Sequence, residues 1–298
     1  MNVSEAQVLK EGRQRSAPRV LEIHEAIRVE GEHELSRPIT ALAVSGLAAG
    51  LSMGFSFVAE ASLANALPDT HWATLISKLG YCVGFLIVIL GRQQLFTENT
   101  LTPILALMSR PSWMAAKRLL RLWAVVLAAN LVGAMLFALF LAKAPAFDSG
   151  MHGTFAYLAG KLFGLGSWAT FCRALLGGWL IALMVWLLPF AETARPFVIA
   201  VVTYLVGIAH LAHIIAGSVE MFYAVFTGIV ALPTALAEFG LPALCGNVIG
   251  GVAFVSMLHH AQVRFDYHHK EETEELGLSL DQEHADLQKP FPAAVGLG

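Results

Sequence analysis

Two apolar stretches limit what this chain can become. His71 to Met108 and Pro196 to Pro233 are each 38 residues long, whereas a helix crossing a bilayer once needs about 20. Each is interrupted near its middle. The first reads strongly apolar from Tyr81 to Leu90, breaks at GRQQLFTENT (91 to 100), and resumes from Leu101 to Leu107, with Pro103 placed to open a new half-helix. The second breaks at GIAHLAHIIAG within Val201 to Phe226, where Gly207 and Gly217 flank His210 and His213. Non-helical backbone and ionisable side chains at membrane depth survive only where protein or a water-filled cavity surrounds them, so both breaks are candidate functional sites.

Four further apolar spans accompany them: Pro38 to Leu67, Leu119 to Leu141, Ser167 to Leu188 and Pro242 to Gln262. Hydrophobic residues make up 56% and charged residues 14% of the 298, with a mean hydropathy of +0.64, which places the chain among multi-pass membrane proteins. Charge gathers in the tails. Residues 1–37 hold six bases and seven acids, and 263–298 hold three bases and eight acids. Neither tail has the basic excess that a nucleic-acid partner requires. The expected organisation is a cytoplasmic tail over 1–37, a transport domain over 38–262 and an acidic cytoplasmic tail over 263–298. The first span is expected to act as an uncleaved signal. Val20, Ile23 and Ile27 have helical spacing and predict a short amphipathic helix, read as a solvated lead-in rather than a gate.

The spans repeat in order. Each half has an intact helix, then an overlong broken segment, then a helix carrying Asn-x-x-Gly, as Asn130 with Gly133 and Asn247 with Gly250. Three crossings per half force the second half to enter from the opposite side. The expected fold is therefore an all-α membrane protein of six transmembrane helices, built as a 3+3 inverted repeat with broken second and fifth helices. Gly46, Gly50 and Gly54 recur every fourth residue of the first span and predict a close helix contact. Arg110, Lys117, Arg118 and Arg121 between spans two and three put that side, and both termini, in the cytoplasm. Cys82, Cys172 and Cys245 form no metal or disulfide pattern.

These segments resemble the formate/nitrite transporter family, as a divergent subgroup. The similarity covers Pro38 to Gln262 through four motifs in order: Leu95-Phe96-Thr97 in the first break, Asn-Leu-Val-Gly at 130–133, His213-Ile214-Ile215-Ala216 in the second break, and Gly-Asn-x-Ile-Gly-Gly at 246–251. The resemblance implies a homopentamer of aquaporin-like protomers, each with its own pore in the lipid bilayer, passing small monovalent anions or their conjugate weak acids. It implies no cofactor. On this alignment His213 is the central pore histidine, His210 its neighbour one turn earlier, and Thr97 its loop partner. Tyr81, Phe85, Leu95 and Val206 fall near apolar constrictions, and Lys161 aligns near a vestibule lysine with a one-residue gap. Three positions depart from the family pattern: Gln94 replaces an acid, and Gly178 and Gly217 replace asparagines.

A bare anion in an apolar ring is very costly, so neutralisation by a proton is the cheaper route through. His213 would supply charge or a proton, Thr97 would orient the guest, and Leu95, Phe96 and Phe85 would exclude water. Arg92 and Glu98 are read either as a charged selectivity element or, preferably, as a mutual ion pair. Glu60 is placed near the outer end of its span, able to reach the interface, and Glu220 at the outer mouth or paired with a loop base. Three other readings stay open: a cation or ammonia-like channel using Glu98, Glu220 or Glu60; a haem protein using His210 or His213 with His259 or His260; and a non-conducting sensor acting through its tails.

Overall fold

The computed structural model describes residues 20–257. The HHKEETEEL stretch at 268–276, His259, His260 and the C-terminal tail lie outside the described residues. Every regular element described is helical: α1 Val20–Ser36, α2 Ile39–Ala66, α3 His71–Ser77, α4 Cys82–Leu90, α5 Thr102–Ser109, α6 Trp113–Lys143, α7 Ser149–Gly160, α8 Ser167–Leu187, α9 Arg195–Ile208, α10 Ile214–Phe226, α11 Leu232–Ala235 and α12 Leu241–Ile249. A π-helical turn at Leu236–Gly240 joins α11 to α12, and another at Gly250–Met257 follows α12. Among the described residues, five helical segments are long and apolar enough to cross a membrane, and the shorter apolar α10 completes the broken fifth span with α9.

Local chemistry sets several of the helix starts. Ser112 caps α6 by accepting from the Ala115 amide (3.1 Å), and Asp148 caps α7 by accepting from Met151 (2.8 Å). Pro103 stands in the first turn of α5, as its position after the break suggested. Two span boundaries differ from the sequence reading. The fifth span ends at Phe226, and the sixth begins at Leu232, ten residues before Pro242. Pro233 occupies a first helical turn, where proline lacks no hydrogen bond a helix needs, and Pro242 directly follows the π-helical turn at Leu236–Gly240 through which the span runs on, so neither ends a span.

The two halves repeat each other bond for bond. Asn130 of α6 donates to the carbonyls of Gly46 (2.7 Å) and Gln94 (2.9 Å) and accepts from the Phe96 amide (2.9 Å). Asn247 of α12 donates to Ala174 (2.7 Å) and Ala212 (2.9 Å) and accepts from Ile214 (2.7 Å). Each asparagine thus ties the intact first helix of its half to the backbone freed by the break. The breaks also begin alike. Gln93 returns its amide to Val88 and Leu211 to Val206, both at 3.0 Å, after left-handed residues Arg92 (φ 52°) and His210 (φ 51°). Close helix contact makes the reach of each asparagine possible. A Cβ on Gly50 would run into the backbone of Asn130, and one on Gly178 into that of Asn247; Gly133 and Gly250 reciprocate against α2 and α8.

α1 is not the solvated lead-in expected. Ile27 and Leu35 are buried, Ile27 in a cluster with Leu101, Leu105 and Trp186, and Gly31 lies against the Thr102 carbonyl too closely for a side chain. Arg121 of α6 donates to the carbonyls of Leu35 and Arg37 and so holds the end of α1 (3.0 and 3.1 Å). On its exposed face Arg28 bonds to Glu25 and holds that carboxyl below its usual range.

Candidate functional site

Two cavities approach the centre from opposite ends. One, of about 520 Å³, is lined by Glu60, Lys78, Tyr81, Val206, His210, His213 and Glu220 among others. The second, of about 500 Å³, lies on the α1 side and is lined by Glu30, Arg92, Gln94, Glu98, Arg195 and neighbouring residues. Between them the chain is packed and apolar: Phe85 and Leu95 are fully buried and share one cluster with Phe96, Ile214 and the cavity-lining Tyr81 and Val206.

His213 lies at the inner end of the first cavity, 1% exposed. It is the residue that opens α10, and both ring nitrogens are engaged. Nδ1 accepts from the Ala216 amide (3.2 Å), and Nε2 meets Thr97 Oγ1 at 2.7 Å. An amide can only donate, so Nδ1 carries no hydrogen and Nε2 carries it: the ring in this arrangement is a neutral imidazole donating to Thr97. The Phe85 ring stands edge-on to the imidazole, centroids 4.9 Å apart, and Tyr81 packs on Phe85 at 5.3 Å. The structure therefore brings His213, Thr97, Phe85 and Tyr81 together from the two breaks and the helix before the first.

Other expected site residues are placed differently. His210 is exposed to the first cavity, and the backbone from 209 to 213 is not helical, so it does not stand one helical turn below His213. Phe96 turns its ring to Trp123 of α6 (6.0 Å) while its amide bonds to Asn130, so it anchors the loop. Arg92 and Glu98 do not form a mutual ion pair. Arg92 reaches out to Glu30 of α1 (2.8 Å), and Glu98 faces the second cavity. The reason is the left-handed backbone at Arg92, which turns its side chain out of the break towards a helix the sequence reading had left in solvent. Lys161 lies over the Tyr157 ring (4.0 Å) on the wall of the first cavity, and Glu220 lines that same cavity.

Sequence reading missed Lys78 and with it the partner of Glu60. Glu60 is 3% exposed and forms an ion pair with Lys78 (2.5 Å) rather than reaching an interface. A signal was present: each is a lone charge inside an otherwise apolar run. Ser56 was also overlooked. Its hydroxyl donates to the Tyr81 carbonyl (2.6 Å) and accepts from the Gly84 amide (3.0 Å), riveting α4 to α2.

Comparison with known proteins gives this geometry a family. The model of the family described as "Formate/nitrite transporter" matches residues 21–261. The chain belongs to the formate/nitrite transporter family. It is a multi-pass membrane protein, 40% identical over 256 residues to inner membrane protein YfdC of Escherichia coli K12, covering 86% of this chain and 83% of that one. The formate channel BtFdhC of Bacillus thuringiensis is 25% identical over 253 residues, covering 80% of this chain and 93% of that one. Two solved structures share the fold at 18% identity. One is described as a pentameric formate channel with formate bound (TM-score 0.61; 76% of this chain, 97% of that one), the other as an FNT family ion channel (TM-score 0.66; 82% and 96%). The family's six-helix, aquaporin-like protomer is thus the fold of this chain.

Proposed function

We propose that this protein passes small monovalent anions of the formate or nitrite kind as their neutral conjugate acids, through a pore centred on His213 in each protomer of a homopentamer. One observation carries the reading: the His213–Thr97 hydrogen bond of 2.7 Å lies where the cavity system meets an otherwise apolar plug. An ion cannot shed its water into such a plug without a cost of many kcal/mol, whereas a neutral acid of a few atoms can. His213 presents an N–H that Thr97 shares, so a guest displacing Thr97 meets a hydrogen-bond donor. Protonating the ring would require Nδ1 to release the Ala216 amide, which couples imidazole charge to the start of α10. His213 then serves first as a polarising donor and becomes a proton source only when that cap opens.

Both termini are assigned to the cytoplasm of the bacterial inner membrane, because Arg110, Lys117, Arg118 and Arg121 cluster at the end of the molecule that holds α1. The first cavity then faces outward. Flux into proteoliposomes tests the function: uptake of formate and nitrite rises as the medium is acidified, and ammonium and potassium do not compete. A second reading, passage of a cation or of ammonia, draws on the carboxylates of Glu60 and Glu220 in one cavity and Glu98 in the other. Cation flux without anion flux would select it.

A further inference from the structure

The outer cavity holds a buried ion pair that helix packing does not require. Glu60 and Lys78 have side chains 4% and 16% exposed. A pair so far from solvent adds little over well-packed apolar groups, and α2 and α4 are already joined nearby by Ser56 and by Gly80, which lies against the Glu60 backbone without room for a side chain. Lys78 has a fixed course as well: its stem runs beside Gly207, at the end of α9. Its ammonium is therefore held at the cavity wall on the route to His213. Glu220, seven residues beyond His213 on α10, lines the same cavity close enough to interact electrostatically with both members of the pair.

We propose that Lys78 is the first binding residue for an anion entering the outer cavity, and that Glu60, seconded by Glu220, is the built-in competitor the anion must displace. This rests on the anion reading above. The charges facing the pair support it. Asp69, Glu60 and Glu220 stand against Lys78, Lys161 and Arg173, with His210, His213, Tyr81 and Tyr157 also lining the cavity. With all three carboxylates ionised the cavity has no net attraction for an anion, and Lys78 is occupied. Removing the charge of either carboxylate turns the cavity positive, and removing that of Glu60 also frees Lys78 to meet the anion. Affinity on this side would thus be governed by residues other than the central histidine.

The test is formate uptake into proteoliposomes at pH 7 and pH 5, with size-exclusion chromatography to check assembly. Glu60→Gln lowers KM at pH 7 on the order of tenfold, the worth of one charge contact. Glu220→Gln acts in the same direction more weakly. Lys78→Met raises KM at both pH values, Lys78→Arg restores it, and Glu60→Gln has no added effect on the Lys78→Met background. Assembled Glu60→Gln and Glu220→Gln proteins with the unaltered KM would overturn the proposal while leaving anion transport standing. If Glu60→Gln does not assemble, Glu220→Gln and Lys78→Met decide alone. Absence of formate and nitrite uptake by the unaltered protein would remove the anion reading and this inference together.

Discussion

His213 has no spare valence: one nitrogen caps a helix and the other binds a hydroxyl from the opposite half of the protein. Replacing it with Phe should abolish pH-dependent anion flux with the assembly intact, since a flat aromatic ring stays beside Phe85 while the polar atoms are lost; unchanged flux would refute its role. Thr97→Val should lower flux by about tenfold or more, because a buried Nε2–H left without a partner costs about 1–3 kcal/mol, and Thr97→Ser should recover most of it. His210 differs in kind. Its imidazole is exposed to the cavity, and its left-handed backbone costs roughly 1 kcal/mol for a residue with a Cβ. His210→Gly should therefore raise the thermal midpoint slightly, and a fall would show that the imidazole holds structure the geometry does not reveal.

At the scale of elements, the two asparagines do the same work in the two halves. Asn130→Ala and Asn247→Ala each leave a buried amide and freed carbonyls unpaired in a break, so each should destabilise the protein by about 2–3 kcal/mol in thermal or denaturant unfolding in detergent. A larger loss is expected from Gly50→Val or Gly178→Val. The added carbons meet backbone, which cannot move aside, and the α2–α6 or α8–α12 contact must open; the readout is failure to recover an assembled protein. The Arg92–Glu30 pair is mostly exposed and Arg92→Ala should cost less than about 1 kcal/mol.

Across the whole molecule, two cavities separated by a thin apolar plug suit transport better than signalling. A chain truncated to 20–262 should carry anions at the rate of the full chain if the tails are accessory. Loss of flux with normal assembly would return attention to the sensor reading.

The six spans, their breaks and the repeat were legible in the sequence because bilayer thickness imposes a length that polar residues and glycines visibly violate. The Leu-Phe-Thr and histidine motifs pointed to the centre for the same reason: polar groups stand out against an apolar run. Partners across the chain were not legible. Glu30 for Arg92 and Lys78 for Glu60 each join residues from different segments, and such pairing depends on how the helices cross and which way a single left-handed residue turns the chain; Thr97 for His213 came only from the family resemblance. Nor could the sequence assign the hydrogen on His213, which follows from one amide, three residues on, that has only a proton to give. Sequence alone determined what must lie within the membrane and where it must break, through the cost of unsatisfied polar groups in lipid. Only the tertiary structure decided which of those groups satisfy one another.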